Sequence, residues 1–132
     1  MGIRFFIDEN LGRDLANALS LLQYDVEHLL DRFPEGTKDV VWLEYVGRNK
    51  LPLITKDKQI RKRPNEKALL IKYRVVAFYL GGSERSVQDI AKQLMKAWGK
   101  MEAEARRQFK KNIAGAFIVR PGGGKIERIP LD

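Results

Sequence analysis

Apolar residues along the chain fall into short unbroken runs and longer stretches spaced by three and four, and the two kinds alternate. Ile3 to Ile7 is a compact run broken only by Arg4, with the β-branched and aromatic content of a buried strand. From Leu11 to Gln23 the apolar positions 11, 15, 18, 19 and 22 predict a helix. Val26 to Leu30 predicts a second strand, and Asp31 to Gly36, with Pro34, a loop. Thr37 is placed to cap a helix from Lys38 to about Asn49 whose inner face carries Val41, Trp42, Tyr45 and Val46. Leu51 to Thr55 is a third strand. Pro64 then opens a helix with Ala68, Leu69 and Ile71 inward, and Val75 to Leu80 is a fourth strand. After Gly81-Gly82-Ser83, the pair Ser86 and Asp89 resembles a capping box before a long helix with apolar positions 87, 90, 91, 94, 98, 101 and 105, which Gly99 is placed to interrupt. Ala116 to Val119 and Lys125 to Ile129 flank Pro121-Gly122-Gly123-Gly124 as a terminal hairpin.

This alternation predicts an α/β fold, with a mostly parallel central sheet covered on both faces and joined by right-handed crossovers. With 132 residues and neither linker nor repeat, the chain reads as one domain, 1–132. Ligands of such sheets gather beyond the carboxyl ends of the strands. Asp8 and Asp57 fall there, and Asp39, opening the second long helix, belongs to the same rim.

Composition narrows the chemistry. The chain has no cysteine and one histidine, His28, which excludes disulfides, thiolate zinc sites and His-rich metal sites. A metal would have to rest on oxygen ligands. No apolar stretch approaches the ~20 residues of a membrane span, and no leader pattern opens the chain, so a cytoplasmic location is expected. The net charge of +8 favours a polyanionic partner such as nucleic acid, and would also suit an acidic protein. In so basic a chain, acids gathered at one rim suit a hard divalent cation, which carboxylates and water would hold. Taken singly, each acid has a structural explanation as a helix cap or dipole partner; their common rim favours the functional one.

Ile7-Asp8-Glu9-Asn10-Leu11, Asp39 opening a helix and Ile54-Thr55-Lys56-Asp57 closing a strand together resemble the PIN-like domain family, compact relatives of the ribonuclease toxins of toxin-antitoxin pairs. The resemblance extends from the N-terminus to about Leu80. It implies a three-layer α/β/α sandwich and a Mg²⁺- or Mn²⁺-dependent endoribonuclease, often a homodimer inhibited by a cognate antitoxin. It carries the metal and catalytic roles onto Asp8, Asp39 and Asp57. Many relatives have a further acid two places after the position of Asp57, followed by phenylalanine; here those places are Gln59 and Ile60. Glu9 is a secondary metal ligand candidate, and Glu44 a more remote substitute.

Around these acids, Asn10 and Thr55 have the hydrogen-bonding groups to orient a carboxylate or a metal-bound water. Lys56, Lys58, Arg61, Lys62 and Arg63 crowd near Asp57, where an RNA backbone would approach; a solvated charge run is the plain alternative. Arg106, Arg107, Lys110 and Lys111 pose the same choice. His28 reads as structural, and Trp42 and Trp98 as packing residues, with a dimer or antitoxin surface as the alternative. Three functions fit: an RNA-cleaving enzyme, a non-catalytic PIN-like module that binds RNA or protein, and, last, a phosphoacceptor receiver domain built on Asp8, Glu9 and Asp57.

Overall fold

The computed structural model describes residues 2–57, 63–82, 86–122 and 124–131. The described residues form one six-stranded sheet and five helices, in the order β1 (Phe5–Ile7), α1 (Arg13–Leu21), β2 (Val26–His28), α2 (Leu29–Arg32), α3 (Asp39–Arg48), β3 (Leu53–Thr55), α4 (Pro64–Lys72), β4 (Val76–Leu80), α5 (Val87–Lys111), β5 (Gly115–Val119) and β6 (Ile126–Ile129). The strands lie in the order β2-β1-β3-β4-β5-β6, all parallel except β6, which returns antiparallel to β5 as the terminal hairpin. The α/β class and mostly parallel sheet are as the pattern predicts.

Side chains alternate across the strands and build two cores. Phe5, Ile7, Ile54, Phe78 and Phe117 pack against α1 and α5 on one face; Phe6, Leu53, Ala77 and Tyr79 pack against α2, α3 and α4 on the other. Aromatic contacts set the first core: the Phe5 ring lies 4.5 Å from that of Trp98, and Phe78 stacks on Phe117 at 5.3 Å. Trp42 and Trp98 are both packing residues, 2% and 7% exposed.

The crossovers do not all share one hand. The step from β1 to β2 runs one way across the sheet with α1 on one face, and the steps to β3 and β4 run the other way with their helices on the opposite face, so these three agree. The step from β4 to β5 continues in the second direction, yet α5 lies on the α1 face. Its hand is opposite to the rest, so the expectation of uniformly right-handed connections fails. The reason is the apolar stripe of α5, which runs unbroken through Gly99 and fits the face that α1 alone would leave half covered.

Other local expectations also shift. Leu29 and Leu30 leave the second strand for α2, whose first turn is capped by His28: its Nδ1 accepts the Leu30 N–H at 3.1 Å, while Nε2 lies 2.6 Å from the Leu11 carbonyl. Thr37 bonds Pro34 O instead of capping α3, whose N-cap is Lys38. Val41, Ala68 and Ile71 face solvent; Leu43 and Leu70 take the inward places.

Four helices end alike, on Gln23, Lys50, Arg74 and Asn112, with φ of 70°, 52°, 56° and 58°. In each case the next residue's N–H reaches back to the carbonyl five residues earlier, as Leu51 does to Val46 and Val75 to Leu70. None of the four is glycine, so each holds a left-handed conformation that costs an ordinary residue about 1 kcal/mol.

Candidate functional site

Strand order reverses at β1, because the chain leaves it for β2 on one side and returns to β3 on the other. The crevice beyond the carboxyl ends of β1 and β3 is the place where open parallel sheets bind ligands. Asp8 follows β1 directly and extends its pairing, its N–H bonding Ile54 O at 3.0 Å. A tight turn closed by Leu11 N–H to Asp8 O then folds Asn10 back toward β3.

Asn10 joins the two strand ends. Its Nδ2 donates to Asp8 Oδ2 at 3.2 Å and to Thr55 Oγ1 at 3.0 Å, and its Oδ1 accepts the Lys56 N–H at 3.3 Å. Thr55, fully buried as the last residue of β3, donates to Asp8 Oδ2 at 2.9 Å and accepts the Asp57 N–H at 3.0 Å. Asn10 and Thr55 therefore meet Asp8 directly. Asp8 is 5% exposed. Burial pushes its carboxyl above the ordinary value, outweighing the Thr55 and Glu9 backbone hydrogen bonds that favour the charge, and the negative charges of Asp39 and Glu9 push it further. Glu9 itself is exposed.

Asp39 enters in the first turn of α3, held by the Trp42 indole, which donates to Oδ1 at 3.1 Å. Facing it is a residue that the sequence analysis missed. Glu66, in the first turn of α4, has the Asp39 carboxyl as its acidic neighbour; burial first, then this neighbour, raises its affinity for a proton. The available signal was positional: α4 follows β3, so its first turn returns to the same rim, as Asp39 does after β2. Asp57, half-buried, contacts Arg63 at 3.4 Å, and Arg63 reaches Glu66 at 3.1 Å. Glu44 lies away from this group, paired with Arg48 at 2.6 Å.

Asp8, Asp39 and Glu66 thus form a chain with Asp39 in the middle, and Asp57 joins Glu66 through Arg63. Among the described residues, no three acidic or imidazole side chains close on one point as a ready-made metal cage. The donors are nonetheless all carboxylate oxygens, and Asp8 and Glu66 are both pushed upward first by burial, with the neighbouring acid Asp39 adding to it. Magnesium needs only one or two carboxylates beside its waters and a substrate phosphate, so the neighbours Asp8 and Asp39 could hold it. Lys56 is exposed beside the crevice, and Arg63 is engaged with the two acids. Lys58, Arg61 and Lys62 lie outside the described residues, as do Gln59 and Ile60.

A family model for the PIN-like domain matches residues 3–82, more than half of the chain and all of the crevice. The chain belongs to the PIN-like domain family. No curated protein and no solved structure matches it. Among the described residues, no helix is long and apolar enough to cross a membrane.

Proposed function

We propose that this protein is a metal-dependent endoribonuclease that hydrolyses phosphodiester bonds at the β1/β3 crevice. The observation that carries the reading is a buried aspartate at the reversal point of the sheet, within the field of a second acid, in a chain of net charge +8. Asp8 and Asp39 would hold Mg²⁺ or Mn²⁺, with Glu9, Asp57 and Glu66 at its border. When bound, the ion lowers the pKa of a water and neutralises charge developing on the phosphate.

The remaining work falls to the chain. Thr55 and Asn10 both bond Oδ2 of Asp8 and so fix the carboxylate plane. The Trp42 indole fixes Asp39 in the same way. Arg63, with Lys56, Lys58, Arg61 and Lys62, would draw in the RNA backbone; on its arrival Arg63 exchanges a carboxylate for a phosphate oxygen, a geometry its planar fork suits equally. A role as the toxin of a toxin-antitoxin pair, working as a homodimer under a cognate antitoxin, follows as a further part of this proposal.

The test uses purified chain, Mg²⁺ or Mn²⁺ and a panel of single-stranded RNAs. Asp8→Asn should lower cleavage at least about a hundredfold, more than loss of an orienting partner costs, while RNA affinity is kept. Unchanged cleavage would refute the site. A second reading, a non-catalytic RNA- or protein-binding module, draws support from Arg63, which already partners two of the acids, and from Gln59 at the place of a family acid. RNA binding with no cleavage by the parent, and no metal binding by titration, would establish it.

A further inference from the structure

At the end of the molecule opposite the acids, where α3, α4 and α5 terminate, an open cleft of about 420 Å³ is lined by Arg48, Lys50, Lys72 and Arg74 without a single acid. Its floor is the Gly47–Tyr73 contact, and the Tyr73 ring lies under two of the cations, 5.7 Å from the Arg48 guanidinium and 5.3 Å from the Lys72 ammonium. Gln108, 2% exposed, closes the back, and its Oε1 has no hydrogen-bond partner.

Helix dipoles give one reason for such cations, since positive charge is favoured in a last helical turn. That reason covers Arg48 and Lys72. It does not cover Lys50 and Arg74, which stand beyond the helix ends in the left-handed conformation, at the positions where glycine is the least strained choice. Two long cationic side chains stand where glycine would be the least strained residue, and both line one cleft. Among the described residues Lys50, Lys72 and Arg74 make no ion pair; Arg48 pairs with Glu44.

We infer that this cleft binds the phosphate backbone of single-stranded RNA, as a second contact remote from the acidic rim. Guanidinium forks and ammonium point charges suit successive phosphates, with Lys50, Lys72 and Arg74 outside any ion pair among the described residues and Arg48 shared with Glu44. Phe109 and Ile113 give the cleft an apolar side as well, so its four cations, and not a lack of apolar surface, are what favour a polyanion. The geometry joins the two ends: Asp39 opens α3 and Arg48 closes it, nine residue steps or about 13.5 Å along the helix. A strand lying along α3 and α4 would have a phosphate at the acids and further phosphates in the cleft. This deepens the endoribonuclease reading by naming the length of substrate the protein grips, though the binding itself does not depend on cleavage.

The experiment replaces Lys50→Gly and Arg74→Gly together, which removes two charges and relieves two strained positions, so folding is preserved or improved. Binding of a labelled single-stranded RNA long enough to span both ends is followed by anisotropy in EDTA over a range of salt. Affinity should fall about tenfold, and the slope of log K against log salt should shrink by about 1.4, two phosphate contacts at about 0.7 each. Unchanged affinity and slope for the long RNA would overturn the inference whether or not the parent cleaves. So would a poly-glutamate peptide that binds as tightly as the RNA and shows the same loss, which would assign the cleft to an acidic polypeptide. Loss of long-RNA affinity in a parent that cuts nothing would leave the cleft assignment standing and remove only the nuclease.

Discussion

The Thr55 hydroxyl has one hydrogen to give and two lone pairs to receive, and all three are used, toward Asp8 Oδ2, Asn10 Nδ2 and the Asp57 N–H. This saturation lets a buried carboxylate stay oriented, but it does not remove the cost of burying a charge. Asp8 holds its proton above the ordinary value of 3.8, chiefly through burial. The sign follows from counting protons. Between 3.8 and the raised folded value, the native state binds more protons than the unfolded one, so stability falls as pH rises through that window. Below it both states are protonated and the penalty vanishes; above it the penalty is complete. Asp8→Asn, uncharged at every pH, should therefore be more stable than the parent at neutral pH in EDTA, by urea denaturation, with the advantage fading as pH drops below the window. Saturating Mg²⁺ should close the neutral-pH gap by stabilising the parent alone, about 2.7 kcal/mol at a hundred times its Kd. An advantage that persists undiminished in acid would show that ionisation is not its cause.

Among the elements, two helical glycines make opposite demands. A Cβ on Gly47 of α3 would stand 2.3 Å from the Tyr73 carbonyl oxygen, which is backbone and cannot turn aside, whereas Gly99 in α5 has nothing within 4 Å. Gly47→Ala should force α3 and α4 apart at or beyond the upper end of the ~1–3 kcal/mol of ordinary overpacking. Gly99→Ala should raise stability by about 0.5–1 kcal/mol through helix propensity alone. Thermal melts of the two variants test both, and destabilisation by Gly99→Ala would mean that α5 needs a weak point there. The same elements show what a sequence can and cannot disclose. Strands such as Val76–Leu80 and the stripe of α5 were legible because their apolar periods are long or unbroken. In α4 the adjoining Ala68, Leu69, Leu70 and Ile71 offer no phase, and only packing against Val46 and Val75 in the same core selects Leu70. Helix ends on Gln23, Lys50 and Arg74 lack the glycine that marks such turns. Asp8 and Asp57 were legible as acids closing strands, and Asn10 and Thr55 as their neighbours. Glu66 was not, since one glutamate in a first helical turn looks like dipole compensation until Asp39 is seen across from it.

At the scale of the whole molecule, the family match ends at residue 82, but the core does not. On one face of the sheet the cover consists of α1 and α5, and α5 contributes Ala91, Leu94, Ala97, Trp98, Met101 and Ala105 to it. The opposite-handed crossover makes this dependence sharper, because α5 returns to the α1 face instead of extending the layer formed by α3 and α4. A chain ending at Gly82 would leave Phe5, Ile54 and Phe78 facing water across most of that side. Each buried side chain of this size is worth roughly 1.5–3 kcal/mol, so exposing these three alone forfeits about 4.5–9 kcal/mol, comparable to the 5–15 kcal/mol by which domains are stable. The fragment 1–82 should therefore bind a hydrophobic dye and unfold without a cooperative transition, although it carries every acid of the rim. A chain ending at Arg120 makes a different loss. Only β6 goes, whose Ile126 and Ile129 are merely half-buried, so both cores persist while β5 becomes an open edge. That chain should melt cooperatively but self-associate through the exposed strand, visible as a concentration-dependent mass by light scattering. Cooperative unfolding of the fragment 1–82 would instead show that the acidic rim rests on a self-sufficient half, with α5 and the hairpin as additions to it.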